Sequence, residues 1–288
     1  MPIVIRSALE VVADDCLFTE DPRWHAERLY FSDTIAGRVC AVDAARRLEV
    51  VAQLDDHCSG LGFMPNGDLL IVSAGQRRLL RQQATGIALH ADLAALAPQG
   101  INDMVVDRQG RAYVGELRFD AAQPLQPQIG KLFLVQADGS IEIAADDMLM
   151  SNGSVISADG RTLIVAETLG CRISAFDIAA DGRLQNRRIF AQLPAGYFPD
   201  GIALDGEGGI WAACPFEHGV IRVEEGGRIT HILPMEPGRA AYACALGGAE
   251  RRTLYVCTAA THEHERARSL RSSRIEQVAV EFSGVGLP

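Results

Sequence analysis

One short pattern returns six times along this chain: a polar residue, about ten positions of apolar run and turn, then a segment rich in strand formers. Counted from the first hydrophobic residue after each turn, the returns fall at Leu29, Leu69, Ala112, Leu163, Ile210 and Leu254, at spacings of 40, 43, 51, 47 and 44 residues. A period of that length predicts a β-propeller, because each repeat is one small sheet that can bury its faces only against its neighbours. Six repeats spread over 288 residues give an all-β, six-bladed β-propeller that uses residues 1–288 as one domain.

The local chemistry agrees with that period. Asn66-Gly67, Asp159-Gly160 and Asp205-Gly206 supply the positive φ that hairpin turns need. The runs that follow them, such as Leu69-Leu-Ile-Val-Ser73 and Leu163-Ile-Val-Ala166, are dominated by β-branched and large apolar residues. Ser7 to Val12 and Gln277 to Phe282 each read as a lone strand, too little for a separate sheet. These N- and C-terminal strands are expected to close the ring by completing one blade, which removes two exposed edges.

Position in the repeat then predicts position in space. Stepping back about ten residues from each anchor gives Glu20, Ser59, Asn102, Asn152, Asp200 and, by the same count, Cys244. Inner strands of a propeller run along a central channel, so these six positions converge at one of its mouths. Carboxylates and carboxamides there can offer oxygen atoms to a hard cation. Glu20, Asn152 and Asp200 are the expected ligands of one divalent metal cation, Ca²⁺ foremost, with Zn²⁺, Mg²⁺ or Mn²⁺ also compatible with oxygen ligands. Such a cation would polarise a substrate carbonyl for attack by water. Asp200 is the candidate catalytic base, while Asn102 and Asp103 would orient the substrate or support the ligands.

Charge and cysteine content narrow the function classes. A net charge of −10 without long basic tracts argues against a nucleic-acid partner or an anionic membrane surface. No stretch approaches about 18 consecutive apolar residues, and no export signal is visible at Met1–Arg6, so a cytoplasmic protein is expected. Seven cysteines without a CxxC pair read as buried thiols, Cys58 being the one candidate nucleophile among them. The oligomeric state is left open. Two stretches depart from the repeat: Gly115 to Gly130, with Pro124 and Pro127, reads either as a lid or as a plain surface loop, and Thr261 to Arg271 reads as a solvated outer connection ahead of a metal site on His262 and His264.

Four motifs, Thr19-Glu-Asp-Pro-Arg-Trp-His25, Ile101-Asn-Asp-Met104, Ser151-Asn-Gly153 and Phe198-Pro-Asp-Gly201, occur in an order and at a spacing that resemble the regucalcin/gluconolactonase family along essentially the whole chain. That resemblance implies a six-bladed propeller with one catalytic divalent metal on the counterparts of Glu20, Asn152 and Asp200. It also implies a lactonase: a small-molecule lactone opened by water, with Asp200 as base and Asn102 on the substrate. Similar sugar-lactone members often carry Arg where this chain has Gly100, so the substrate is either a sugar lactone gripped by another blade or a smaller, less polar lactone. Candidates for the grip are His57, Glu116, Arg118 and Tyr197. Hydrolysis of another ester or a phosphotriester, and a non-catalytic Ca²⁺-binding or ligand-sensing propeller, are the competing readings.

Overall fold

The computed structural model describes residues 1–118, 128–216 and 218–287. Six antiparallel sheets form the blades. The first runs outward through Thr19–His25, Arg28–Asp33, Arg38–Val42 and Leu48–Gln53. The second comprises Cys58–Phe63, Leu69–Ser73, Arg78–Gln83 and Gly86–Asp92. The third and fourth begin at Ile101–Val106 and Ser151–Ile156, the fifth at Ile202–Leu204 and the sixth at Ala240–Gly247. Each of these first strands touches the first strands of the two neighbouring blades, so the six make a closed ring around the channel. The middle of the 115–130 insertion, including Pro124 and Pro127, lies outside the described residues.

Apolar clusters fill the wedges between blades. One joins Leu70, Val72 and Leu79 of the second blade to Met104, Val106 and Phe133 of the third, and another joins Val155 and Ile173 of the fourth to Ile202 and Ile221 of the fifth. Alternate residues of the inner strands supply both walls of each wedge. Truncating one such Leu or Ile to Ala costs about 2–5 kcal/mol. Six of the cysteines are buried in or beside these layers, and Cys171 is half-buried.

The chain ends close the ring as expected, with one addition. Glu10–Cys16 is the outer strand of the sixth blade and pairs with Ser273–Ala279. Ahead of it, Ile3–Val4 adds a parallel fifth strand to the edge of the fifth blade, against Ile229–Leu233. After the last strand the chain runs back beneath two further blades: Gly284 bridges Asp205, and Leu287 bridges Ile156. These additions are too short to leave a strand pattern in the sequence.

Thr261 to Arg271 is exposed except at Thr261 and Ala267, as expected of a solvated connection, but it is not without structure. It contains the helix His264–Leu270, whose Ala267 packs into a small cluster with Leu17 and Ile35 of the first blade. The segment thereby lies on the same end of the molecule as the expected site.

Candidate active site

A break in strand pairing aims the site residues. The inner strands lose register between Glu20 and Arg23, Cys58 and Leu61, Ile101 and Met104, Ser151 and Ser154, and Ala241 and Ala243. Such bulges turn one side chain out of the sheet plane and are common beside active sites. The residues in these breaks are Ser59, Asn102, Asn152 and, in the sixth blade, Tyr242, while in the first blade Glu20 still pairs with Ser32 and borders the break. Cys244 is corrected by this register: it pairs with Val256, is buried in a wedge core, and lies away from the bulge. In the fifth blade Asp200 occupies the equivalent place, its N–H donating to the Ala213 carbonyl at 2.8 Å.

The inner strands approach closely here, and glycine allows it. A Cβ on Gly153 would lie 2.5 Å from Ile202 N, and one on Gly201 would lie 2.4 Å from Ala243 Cβ. Asp21, in contrast, holds a left-handed φ of 51° without being glycine. Local strain of that kind costs about 1–2 kcal/mol and persists only where neighbours enforce it.

Arg23 is the neighbour that does so. It is only 5 % exposed. Its Nε donates to Leu61 O at 2.9 Å in the second blade, and its Nη2 donates to Met104 O at 2.8 Å in the third and to Asp21 Oδ1 at 3.2 Å. One guanidinium thus ties three blades together under the mouth. A lone Arg in a strand reads as a solvent-facing residue, so nothing in the repeat pattern singles it out. Asp103 donates a hydrogen bond to Asp21, and the Ser59 hydroxyl lies 3.2 Å from Asp21 Oδ2 and 2.8 Å from Asn102 Oδ1. Ser59 has one hydroxyl proton for these two oxygens and donates to one of them at a time, which holds the Asn102 carboxamide beside Asp21.

The two carboxylates of the expected metal set lack such support. Burial pushes the Glu20 carboxyl well above the usual range, and the charges of Asp200, Asp103 and Asp21 push it further. Burial and the Asp21 charge raise Asp200 to about 8, opposed by a hydrogen bond from Asn152. Asp103 is likewise held well above its ordinary value by burial and then by Asp21. Asn152 Nδ2 donates to Thr168 Oγ1 at 3.1 Å, and Thr168 in turn donates to the Pro199 carbonyl at 2.8 Å, which links the fourth blade to the residue before Asp200. Asn152 Oδ1 accepts from Gly153 N at 3.0 Å and keeps a second lone pair. Tyr242 stands against the same group: after burial, the charges of Glu20 and Asp200 are what raise its phenol.

Oxygen-only donors, two mutually repelling half-buried carboxylates and one amide fit a hard divalent cation better than they fit an empty polar cavity. Among the described residues no three His, Cys, Asp or Glu side chains gather in a way that could hold a metal. Any cation on Glu20 and Asp200 therefore depends on the Asn152 oxygen, with water and substrate completing its shell.

The other expected residues fall around this centre. His57 lies on the rim, its ring 4.7 Å from His264 of the sixth-blade helix and nearly perpendicular to it. Glu116 is fully buried, paired with Arg118 at 3.1 Å, and its Oε2 has no partner among the described residues. It ends the second strand of its blade, as Asp33 and Glu167 do in theirs. Tyr197 stacks on His218 at 3.7 Å, leaving that face of its ring covered. Gly100 faces the Leu117 side chain. Burial pushes the Cys58 thiol up to about 12, which removes it as a nucleophile at neutral pH.

Comparison with known proteins adds three findings. The family described as SMP-30/Gluconolactonase/LRE-like region matches residues 18–260. Regucalcin of Sus scrofa is 28 % identical over 259 residues, covering 86 % of this chain and 85 % of the relative, and the 6-deoxy-6-sulfogluconolactonase of Pseudomonas putida is 27 % identical over 266 residues, covering 90 % and 89 %. The crystal structure of a calcium-binding protein, regucalcin, from Agrobacterium tumefaciens superposes with a TM-score of 0.82 at 22 % identity, covering 100 % of this chain and 99 % of that one. Among the described residues no helix is long and apolar enough to cross a membrane.

Proposed function

Because this chain belongs to the SMP-30/Gluconolactonase/LRE-like family, we propose that it is a lactonase working at the bulged mouth of its channel. The observation that carries this reading is the pair of half-buried carboxylates, Glu20 and Asp200, set against each other with Asn152 beside them. These three side chains would hold one divalent cation, Ca²⁺ foremost. When bound, the cation would polarise the lactone carbonyl and offset the charge that develops on its oxygen. Asp200 has two oxygens, one for the cation and one for the proton of the attacking water. That proton then returns from Asp200 to the ring oxygen as the ring C–O bond breaks, leaving a hydroxy acid. The Asn102 carboxamide would hydrogen-bond the substrate, while Asp103, through Asp21 and Arg23, keeps the inner strands of three blades in place. His57 on the rim is the further substrate contact. Glu116 would reach substrate only through its unpartnered oxygen.

The test is hydrolysis by the purified protein across sugar and non-sugar lactones, with an aryl ester and a phosphotriester alongside. Activity is measured after chelation and after return of Ca²⁺, Zn²⁺, Mg²⁺ or Mn²⁺ singly. Loss with the metal, recovery with one cation and absence in Asp200→Ala support the reading. Bound metal without turnover of any lactone overturns it and leaves a Ca²⁺-binding propeller.

A further inference from the structure

The mouth is chemically lopsided. On the side of the second and third blades stand Ser59, Asn102 and Asp103. Across from them an arc of rings runs from one site residue to another. Phe18, two residues before Glu20, meets Tyr242 edge-on at 4.8 Å; Tyr242 meets His262 at 6.1 Å; His262 meets Phe216 at 6.3 Å; and Phe216 meets Phe198, two residues before Asp200, at 6.0 Å. These are edge-to-face spacings that aromatic groups favour. The five rings come from five separate segments at the same end of three blades, so no single turn or core explains their meeting.

Phe216 is the informative member. It is 55 % exposed, and its backbone has a φ of 69°. A bulky residue in the left-handed region is an outlier, and leaving a phenyl ring in water forgoes its burial. Two unfavourable features at one residue of the mouth suit a ring that is covered by something other than this chain's core. Among the described residues the arginine–ring contacts fall on Tyr30, Phe176 and Phe282, and none covers the arc. Gly100 meanwhile has no side chain of its own and faces the apolar Leu117.

We propose that the Phe18, Tyr242, His262, Phe216 and Phe198 arc is an apolar subsite, and that the substrates of this protein are lactones bearing an alkyl or aryl substituent rather than polyhydroxylated sugar lactones. This rests on the lactonase reading above. The ester sits at Glu20 and Asp200 while the substituent lies on the rings, with Phe216 as its outer wall. Each methylene buried there raises kcat/KM about three- to fourfold until the arc is filled.

The experiment compares γ-butyrolactone, γ-valerolactone, γ-nonalactone, dihydrocoumarin and glucono-δ-lactone as substrates of the Ca²⁺-supplemented protein. In parallel, calorimetry measures binding of the unreactive 5-alkyl-2-pyrrolidinones of matching chain length. The expected result is a kcat/KM at least tenfold higher for γ-nonalactone than for γ-butyrolactone, a parallel gradient in lactam affinity, and shrinkage of both ratios at least fivefold in Phe216→Ala with partial return in Phe216→Leu. A preference for gluconolactone, or a gradient unchanged in Phe216→Ala, overturns the subsite while leaving the lactonase intact. Lactam binding with the gradient but no lactone turnover upholds the subsite and removes the lactonase reading. Neither turnover nor lactam binding overturns both.

Discussion

Two sets of carboxylates in this molecule have opposite surroundings. Glu167 ends the second strand of the fourth blade and accepts hydrogen bonds from Leu149 N at 2.8 Å, Arg172 Nη2 at 2.7 Å and Arg187 Nη2 at 2.9 Å. Burial alone would raise its pKa, yet Arg172, Ser174 and the Leu149 N–H together hold it below the ordinary range. Asp33, at the same place in the first blade, takes the N–H groups of Leu17 and Phe18 and pairs with Arg38 at 2.8 Å. Asp103 is buried and Glu20 and Asp200 are half-buried at the mouth, and the largest influences on all three are desolvation and the charge of neighbouring carboxylates. Carboxylates of the frame are saturated with donors, and carboxylates of the channel are starved of them. The same side chain therefore staples loops in one region and stands ready to bind or to take a proton in the other.

The comparison breaks most visibly at Asp200. Asp200→Asn should lower lactone turnover about 10³-fold while leaving the chelated protein about 1 kcal/mol more stable at pH 9, where Asp200 is ionised and the variant removes an uncompensated charge. Steady-state kinetics with thermal melts in chelator check both, and a large fall in Tm would place Asp200 with the frame. Glu167→Ala should do the reverse, destabilising the fold by about 3–5 kcal/mol in urea titrations because Arg172 and Arg187 lose their buried partner.

The next test uses pH. Asp200 titrates near 8 in the folded metal-free protein against an ordinary 3.8, so the folded state retains a proton that the unfolded chain has released. Its contribution then falls as pH rises from about 4 to about 8. Glu167, whose pKa is lowered, contributes stability that is present at neutral pH and lost as pH falls through its folded value. Melts from pH 5 to pH 8 should show Tm declining in chelator and flattening when Ca²⁺ is restored. The smallest effect is expected at Asp103→Asn, within about 1 kcal/mol by urea unfolding, because an amide can still donate to Asp21 as the protonated acid does.

Much of this was legible in advance for a specific reason. Gly-containing turns fix the phase of each repeat, so Glu20, Ser59, Asn102, Asn152 and Asp200 could be aligned without a structure. Blade six escaped because Tyr242 precedes Leu254 by 12 residues, whereas Asn102 precedes Ala112 by 10, the extra length lying in the two strands and not in the turn between them. The bulges left no trace, since they alter hydrogen-bond pairing and not the apolar pattern. Helix His264–Leu270 spans only seven residues, too few for a 3.6-residue period to show. Glu116 could have been aligned with Asp33 and Glu167 as a strand-end carboxylate, because the same repeat phase that found the channel residues also marks that position.

The chain ends have a consequence for how the ring comes together and comes apart. Both run past the closing blade: Ile3–Val4 continues onto the fifth, and the last residues bridge the fifth and the fourth. The sixth blade therefore swings away from the fifth only if the pairings made by both chain ends let go at once. Contacts between residues separated by most of the chain form late, which slows folding. The same contacts then make the seam the part of the circle that opens least often, and amide exchange in Thr253–Ala259 should be among the slowest in the protein.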